Sequence, residues 1–238
     1  MRINQYLARC GVCSRRGADK LIEDGQIEVN GEIAVKGMDI AENAVVKAFG
    51  NVIELPESYI VIKYYKPVGV TCSEKDDHAE RLIINEIKAD RRLTYAGRLD
   101  RDSEGLMLLT DDGSLIEAMM RGSNRHEKEY EVTVNKNIRY EDIQAMSRGV
   151  YLSALDRTTK KCKITQTGAR SFNIILTEGL NRQIRRMCGE FGYRVDSLKR
   201  IRVMNIELGN LQVGASQILS EDELNELKKQ CGLHKNIM

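Results

Sequence analysis

The segment 97–106 holds the residues best suited to catalysis. It reads GRLDRDSEGL and sets three carboxylates at alternate positions among two arginines. These charged residues are Arg98, Asp100, Arg101, Asp102 and Glu104. An aspartate in such a loop can act as a nucleophile or a general base, and neighbouring guanidinium groups would keep it ionised. The segment therefore predicts a catalytic carboxylate, and a solvated turn is the alternative.

The same carboxylates also match part of a calcium-binding pattern. Asp100, Asp102, Glu104, Gly105 and Asp111 have the spacing of ligands and turn glycine in an EF-hand loop. The two arginines inside the loop would repel a cation, however. The last ligand is Asp where an EF-hand has Glu, and the flanking residues predict strands. A calcium-binding module is therefore the weaker hypothesis.

A second candidate is the basic segment 181–188. On a helix, Arg182, Arg185 and Arg186 would share one face, at positions i, i+3 and i+4. The opposite face is apolar and is expected to pack in the core. Three guanidinium groups with no acid among them favour a phosphate or carboxylate partner, and a solvated helix face is the alternative.

A third candidate is Tyr130, within the alternating segment 127–134. It points to the same side as Val132 and Val134, which by periodicity alone favours a core residue. As a functional group, it would stack on an RNA base.

The cysteines and histidines lack the spacing of a metal site. Cys10 and Cys13 form a CxxC, but the sequence has no second pair, and the preceding residues predict a helix where a redox motif needs a strand. His78, His126 and His234 are not spaced as ligands. We therefore expect neither metal nor redox chemistry.

The elements that position these candidates fall into two predicted domains, 1–56 and 57–238. The first is expected to contain helices at 3–9 and 14–24, a hairpin around Asn30-Gly31, a strand pair around Gly50-Asn51 and a linker at 55–57. Ser14 is the expected N-cap of the second helix.

The second predicted domain alternates strands with inserted helices, which favours an α+β fold with a mixed, mostly antiparallel sheet. Helices are expected at 79–89, 114–120, 140–148 and 181–191, and a last one after the capping box 220–223. Strands are expected at 59–63, 93–96, 106–110, 127–134, 160–165, 172–177, 194–208 and 216–219.

The charges are distributed unevenly along a chain of 238 residues with a net charge of +2. Residues 1–20 hold five basic residues against one acid, and residues 181–202 hold seven against two. Two basic patches predict two contacts with a polyanion. The sequence has no apolar run of the about 20 residues that cross a membrane, and no signal-peptide stretch at its start. A cytoplasmic protein without membrane contact is expected.

Taken in order, these segments resemble the RsuA-type pseudouridine synthases, which isomerise uridine in ribosomal RNA. Residues 2–50, with Ser14-Arg15-Arg16 and Val29-Asn30-Gly31, look like an S4 RNA-binding domain. The family's catalytic-domain motifs are resembled by 66–69, 97–113, 128–130 and 182–187. Segments 126–130, 159–163 and 179–183 look most like the RluF branch, whose members modify large-subunit rRNA.

This resemblance implies a role for each candidate. Asp100 would attack the target nucleotide, so that uracil detaches, rotates and rejoins through carbon. Tyr130 would pack against the flipped uracil and is a candidate to take a proton from the sugar. Arg185 would pair with Asp100, Arg98 would fill the gap left by the base, and Lys128 would shape the pocket.

The resemblance further implies RNA contacts and a substrate. The remaining RNA-binding candidates are Lys66, Arg15, Arg16, Arg182 and Arg186. The expected substrate is 23S rRNA, with a tRNA anticodon-arm uridine as a second candidate, and no metal or cofactor is needed. No exposed heptad or large apolar stripe demands a dimer, so a monomer is expected. The alternative function is that of a non-catalytic RNA-binding factor in ribosome assembly.

Overall fold

A computed structural model of the chain describes residues 1–73, 76, 78–89, 91–121 and 126–233. The chain divides into two compact units. The smaller comprises Met1–Ile60, Ala89–Thr94 and Thr110–Gly113, and the larger comprises Val61–Lys88, Tyr95–Leu109 and Ser114–Met238. His234, one of the three sequence histidines, lies outside the described residues. No helix in the described ranges is long and apolar enough to cross a membrane.

The smaller unit has two helices and a four-stranded sheet. Its elements are α1 (Ile3–Arg9), α2 (Arg15–Glu23), β1 (Ile27–Val29), β2 (Glu32–Ile33), β3 (Val46–Ala48) and β4 (Asn51–Ile53), with the strands in the order β2-β1-β3-β4. Ser14 Oγ accepts a hydrogen bond from the Gly17 N–H at 3.0 Å and caps α2. Ile3, Leu7, Ile27 and Val46 are fully buried between the helices and the sheet. The predicted helices and strand pairs are confirmed.

Both hairpins of this sheet turn through two residues with positive φ. Asn30 has φ 53° and Gly31 has φ 89°, as a type I′ turn requires. The second turn is formed by Phe49 and Gly50, because Ala48 pairs with Asn51. It therefore lies one residue earlier than predicted.

The larger unit is an α+β domain built on a nine-stranded sheet. Its elements begin with β5 (Val61–Lys66), β6 (Thr94–Tyr95), β7 (Glu104–Thr110), α3 (Gly113–Met120), β8 (Lys128–Val134), α4 (Tyr140–Ser147), β9 (Tyr151–Leu152) and β10 (Arg157–Thr158). They continue with β11 (Lys163–Gly168), β12 (Ser171–Leu176), α5 (Gln183–Glu190), β13 (Val195–Val203), β14 (Ile206–Glu207), β15 (Ser216–Ile218) and α6 (Glu221–Gln230). Strands β9 and β10 form a separate pair.

The main sheet has the order β11-β12-β8-β13-β7-β5-β15, with β14 beside β13 and β6 beside β7. Strand β13 runs parallel to β7 and antiparallel to β8, so the sheet is mixed. The pairs β11–β12, β12–β8 and β15–β5 are antiparallel. The predicted fold class is therefore confirmed. One apolar core of this unit joins the sheet to α3 and α6 through Leu106, Leu115, Ile206 and Leu227.

The helix predicted at 79–89 is wrong. Within the described residues of that stretch, only Ile83–Asn85 form a short 3-10 helix. The backbone pairs with Thr71 instead: the Thr71 N–H donates to Arg81 O at 2.9 Å, and the Ile83 N–H donates to Thr71 O at 3.0 Å. Because these bonds hold the segment extended before the 3-10 turn, a tertiary contact overrides the helical periodicity.

Strands β7 and β13 approach each other closely at Gly105. Its φ is +109°, and a Cβ added there would lie 2.3 Å from Arg200 O and 2.6 Å from Arg200 N. No side chain fits without displacing β13. This contact sets the position of the segment 97–103, which leads directly into β7.

We expect Gly105→Ala to lower the free energy of unfolding by at least about 2 kcal/mol, because it combines overpacking with an unfavourable backbone angle. Urea denaturation followed by circular dichroism measures the change. Gly113→Ala is the matched control, since a Cβ at this first residue of α3 meets nothing within 4 Å. Equal stability of the two variants would contradict the close approach.

Candidate active site

A cavity of about 710 Å³ opens in the larger unit beside the segment 97–103. Its walls come from the segment before β7, from the end of α3, from β8, β10 and β13, from the end of β12 and from the start of α5. Its basic residues are Arg98, Arg101, Arg121, Lys128, Arg157, Lys160, Arg182 and Arg200, and its acids are Asp100 and Glu178. Eight cations against two carboxylates make it an anion-attracting cleft.

The segment that carries Asp100 is held as a tight turn. The Ser103 N–H donates to Asp100 O at 3.1 Å, and the Gly69 N–H donates to Arg101 O at 2.8 Å. The second bond connects the turn to the segment 66–69, which resembles another of the family's catalytic-domain motifs. The Asp100 side chain is 32% exposed, so its carboxylate is accessible from the cavity.

Arg182 is the cation that contacts both carboxylates of this turn. Its Nη1 lies 3.5 Å from Asp100 Oδ2. Its guanidinium also forms a bidentate pair with Asp102, at 3.2 and 2.8 Å. Burial alone would raise the pKa of the Asp102 carboxyl, but the hydrogen bonds from Arg182 and the charges of Arg185 and Arg182 outweigh it and lower that pKa.

The expected pairing of Arg185 with Asp100 is replaced by other contacts. Arg185 Nη2 donates to Asp102 O at 2.8 Å and lies 3.4 Å from Asp102 Oδ1, while its Nη1 donates to Val195 O at 3.1 Å. Arg185 therefore braces the turn from the side of β13. The single helix face predicted for the three arginines is also wrong, because Arg182 has φ 50° and ψ 37° and precedes α5.

Tyr130 and Lys128 lie on β8, in the wall of the cavity. Tyr130 is 9% exposed and faces the same side as Val132 and Val134, as the alternation predicts. It is thus both a core residue and a cavity residue. Burial, reinforced by the charge of Arg200, lowers the pKa of the Lys128 ammonium.

Lys66 does not occupy the surface that its predicted role requires. It is fully buried, and its Nζ donates to Pro67 O at 2.9 Å. Burial lowers the pKa of its ammonium group. The prediction that Lys66 contacts RNA is therefore wrong for this structure, because the side chain has no exposed surface. Its hydrogen bond to Pro67 instead stabilises the turn 66–69.

The other RNA-binding candidates are solvent-accessible. Arg98 is exposed at the cavity, and Arg15 and Arg16 are exposed in the first turn of α2. Arg186 is half-buried and donates to Asn181 O at 3.0 Å and to Asn181 Oδ1 at 3.2 Å. It thereby stabilises the turn that precedes α5.

Sequence reasoning missed Arg200, which is 1% exposed and reaches the cavity. Its Nε donates to Leu106 O at 2.7 Å, and its Nη2 lies 2.9 Å from Met107 Sδ. The signal that identifies it is its register opposite Tyr130 on β8. That register is a tertiary property, which the basic composition of 181–202 does not reveal.

The carboxylates do not converge as calcium ligands would. The Asp102 carboxylate is paired with Arg182, and Glu104 accepts a hydrogen bond from the Tyr65 hydroxyl at 3.0 Å. Glu104 also begins a β-strand, where an EF-hand continues its loop toward a helix. Among the cysteines of the CxxC, burial raises the pKa of Cys10 to about 11, which disfavours its thiolate.

Comparison with known proteins agrees with this geometry. A family model described as RNA pseudouridylate synthase matches residues 59–190, and an S4 domain model matches residues 1–46. This chain is a member of the RNA pseudouridylate synthase family. It is an RNA pseudouridine synthase with an S4 domain at its N-terminus.

Several relatives of this synthase align along nearly its whole length. It is 42% identical to the dual-specificity RNA pseudouridine synthase RluF of Escherichia coli K12, over 96% of this chain and 79% of the relative. It is 33% identical to the ribosomal large subunit pseudouridine synthase B of Vibrio cholerae, over 96% and 76% respectively. A crystal structure of a pseudouridylate synthase superposes with a TM-score of 0.70 at 26% identity, covering 95% of this chain and 99% of that one.

We expect Arg182→Gln to reduce the kcat of pseudouridine formation about 10- to 100-fold. The acid limb of the pH–rate profile should move to higher pH, because losing the cation raises the pKa of Asp102, whose ionised carboxylate pairs with the arginines that hold the turn carrying Asp100. Arg182→Lys should restore part of the rate. A profile unchanged in both position and height would contradict this role.

Arg186→Gln is the matched comparison for Arg182→Gln. It removes the same charge four residues further along the chain, from a residue that donates to Asn181. We expect it to raise KM while leaving the acid limb in place, because Asp102 keeps both of its arginine partners. Steady-state kinetics across a pH series measures both variants.

Proposed function

We propose that this protein isomerises one uridine of 23S ribosomal RNA to pseudouridine, with Asp100 as the nucleophile. The observation that carries the proposal is the accessible Asp100 carboxylate beside Arg182 in a basic cavity of the synthase domain. The large-subunit target is supported by 42% identity to RluF and by 33% identity to a relative named for the ribosomal large subunit. A tRNA anticodon-arm uridine is the second proposed substrate. This proposal agrees with the description of the relative RluF as a dual-specificity enzyme.

The reaction requires a nucleophile and room for a base to turn. Asp100 attacks C1′ of the nucleotide as the bond between C1′ and uracil N1 breaks, and the uracil anion rotates within the cavity. C5 of uracil then bonds to C1′ as the Asp100–C1′ ester breaks, and the proton on C5 is transferred to N1. Substrate and product are isomers, so atoms and electrons balance without a co-reactant.

The cavity walls assist this sequence in three ways. Tyr130 supplies a largely buried ring against which the flipped uracil packs. Arg98, exposed at the mouth, fills the gap that the base leaves in the RNA. Arg182 and Arg185 hold the turn 100–103 in position through Asp102. Base flipping costs a few kcal/mol, which contacts between the basic residues and RNA phosphates offset.

We expect Asp100→Asn to abolish pseudouridine formation, with a loss of at least about 1000-fold in kcat, because the amide is not a nucleophile. Pseudouridine mapping of total RNA from a strain lacking the gene, complemented with wild type or the variant, gives the readout. One 23S site should vanish in the deletion strain and return only with wild type.

Two further strains make this result decisive. Asp196→Asn, at an exposed residue paired with Arg194, controls for loss of a surface carboxylate and should restore the site fully. Asp100→Ala tests the alternative of a non-catalytic assembly factor. If it rescued ribosome assembly as well as wild type while no pseudouridine changed in any strain, the assembly function would replace the synthase proposal.

We further propose that the S4 domain binds RNA through Arg15 and Arg16. Changing both to Glu should weaken RNA binding and flatten its dependence on salt, because two exposed phosphate contacts are lost. Fluorescence anisotropy over a salt series measures the slope. Arg2→Glu, at a residue paired with Asp39, is the comparison. An unchanged slope in the double variant would refute the contact.

A further inference from the structure

A small hairpin outside the main sheet brings two unassigned cations to the cavity. Its strands β9 and β10 pair antiparallel, with Arg157 opposite Leu152 and Thr158 opposite Tyr151. Arg157 and Lys160 are both exposed, and both line the cavity that holds Asp100. Lys160 belongs to the segment 159–163, which resembles the RluF branch. The mechanism proposed above assigns no role to this segment.

Hydrogen bonds hold this hairpin in one conformation. Thr159 is buried; its N–H donates to Val150 O at 2.9 Å, and its Oγ1 accepts from the Val150 N–H at 3.0 Å. The Lys160 N–H donates to Glu178 Oε1, in the cavity wall, at 2.7 Å. These bonds therefore hold the backbone that carries Arg157 and Lys160 in place without a bound ligand.

The far end of the hairpin is also anchored. The Tyr151 hydroxyl donates to Asp156 Oδ1 at 2.8 Å, across the turn between the strands. The Ser153 hydroxyl donates to Glu190 Oε1, on α5, at 3.1 Å. Because α5 directly follows Arg182, which pairs with Asp100 and Asp102, this bond connects the hairpin to the element that contacts the turn 100–103.

The charges of the two side chains are not neutralised within the protein. In the part of the chain that the structure describes, the Arg157 guanidinium and the Lys160 ammonium form no ion pair with a carboxylate. Glu178 is adjacent, but its Oε1 is taken up by the Lys160 backbone and by Gln183 Nε2, at 3.1 Å. Two exposed cations on a rigid backbone at a cavity mouth suit an extended polyanion better than a small enclosed anion.

We propose that Arg157 and Lys160 form a phosphate-binding rim that grips the RNA strand next to the flipped uridine. The inference rests on the proposed function, because it takes the cavity as the place where the base enters. The rim contacts the sugar-phosphate backbone, so it positions the strand without reading its sequence. Its contribution falls on RNA affinity, while the turn 100–103 carries the chemistry.

The test is the double variant Arg157→Gln, Lys160→Gln in the full-length protein. Its affinity is measured by anisotropy for a 23S rRNA fragment and for an oligouridine of about 12 nucleotides. Two lost contacts should reduce the slope of log K against log salt by about 1.4 for a single strand. The affinity deficit relative to wild type should therefore grow about 25-fold when salt is lowered tenfold. On the 23S fragment, KM should rise while kcat changes less than about twofold.

The matched control is Lys161→Gln, Lys163→Gln, which removes the same charge from two exposed residues next to the rim that do not line the cavity. Its salt slope should fall by less than half as much as that of the rim variant. Equal slopes in the two double variants, or a rim variant indistinguishable from wild type, would overturn the proposal.

The oligouridine separates this proposal from the function on which it rests. If wild type forms no pseudouridine in the 23S fragment, the proposed substrate fails, yet the slope on oligouridine still tests the rim. If wild type forms pseudouridine and the rim variant keeps the wild-type slope, only the rim fails. Both exposed substitutions should leave Tm unchanged, which circular dichroism verifies.

Discussion

The parallel contact between β7 and β13 is the constraint on which the active site depends. At Gly105 the two backbones are so close that no Cβ fits between them. Because β7 follows the catalytic turn and β13 follows α5, this contact brings two distant parts of the sequence together. It allows Arg182 to pair with Asp100 and Asp102, and Arg185 to brace the same turn. Arg200 reaches the cavity from the strand position against which Gly105 packs.

The cations of the cavity have different tasks according to their surroundings. Arg182 and Arg185 are engaged with the turn and keep its geometry and charge. Arg200 is buried and Lys128 is half-buried, and burial lowers the pKa of Lys128. Three further cations are exposed to solvent around the opening of the cavity: Arg98, Arg157 and Lys160. Coulombic attraction is stronger where water is excluded, so in the proposed reaction the buried groups would act on the reacting base and the exposed groups mainly on the RNA backbone.

The sequence predicted local features well and tertiary ones poorly. Ser14 capping α2 and the Asn30-Gly31 turn depend on neighbouring residues, and both are confirmed. The helix at 79–89 failed because Thr71 pairs with that segment, and periodicity carries no information about such a partner. The family resemblance implied that Arg185 pairs with Asp100, whereas in the structure Arg182 lies beside Asp100 and Arg185 contacts Asp102. The backbone reversal at Arg182 is what places that arginine, and no spacing rule predicts a left-handed arginine.

The left-handed backbone at Arg182 also sets conformational cost against the placement of a charge at one residue. A left-handed conformation costs a residue with a Cβ about 1–2 kcal/mol, and Asn tolerates it better than Arg does. The fold therefore carries a small conformational penalty at Arg182, offset by its ion pairs with Asp100 and Asp102. On backbone conformation alone, Asn or Gly would be the less costly residue at this position. Neither could bring a guanidinium group to the carboxylates of Asp100 and Asp102, so the left-handed arginine links the backbone geometry of one residue to the charge distribution of the turn 100–103.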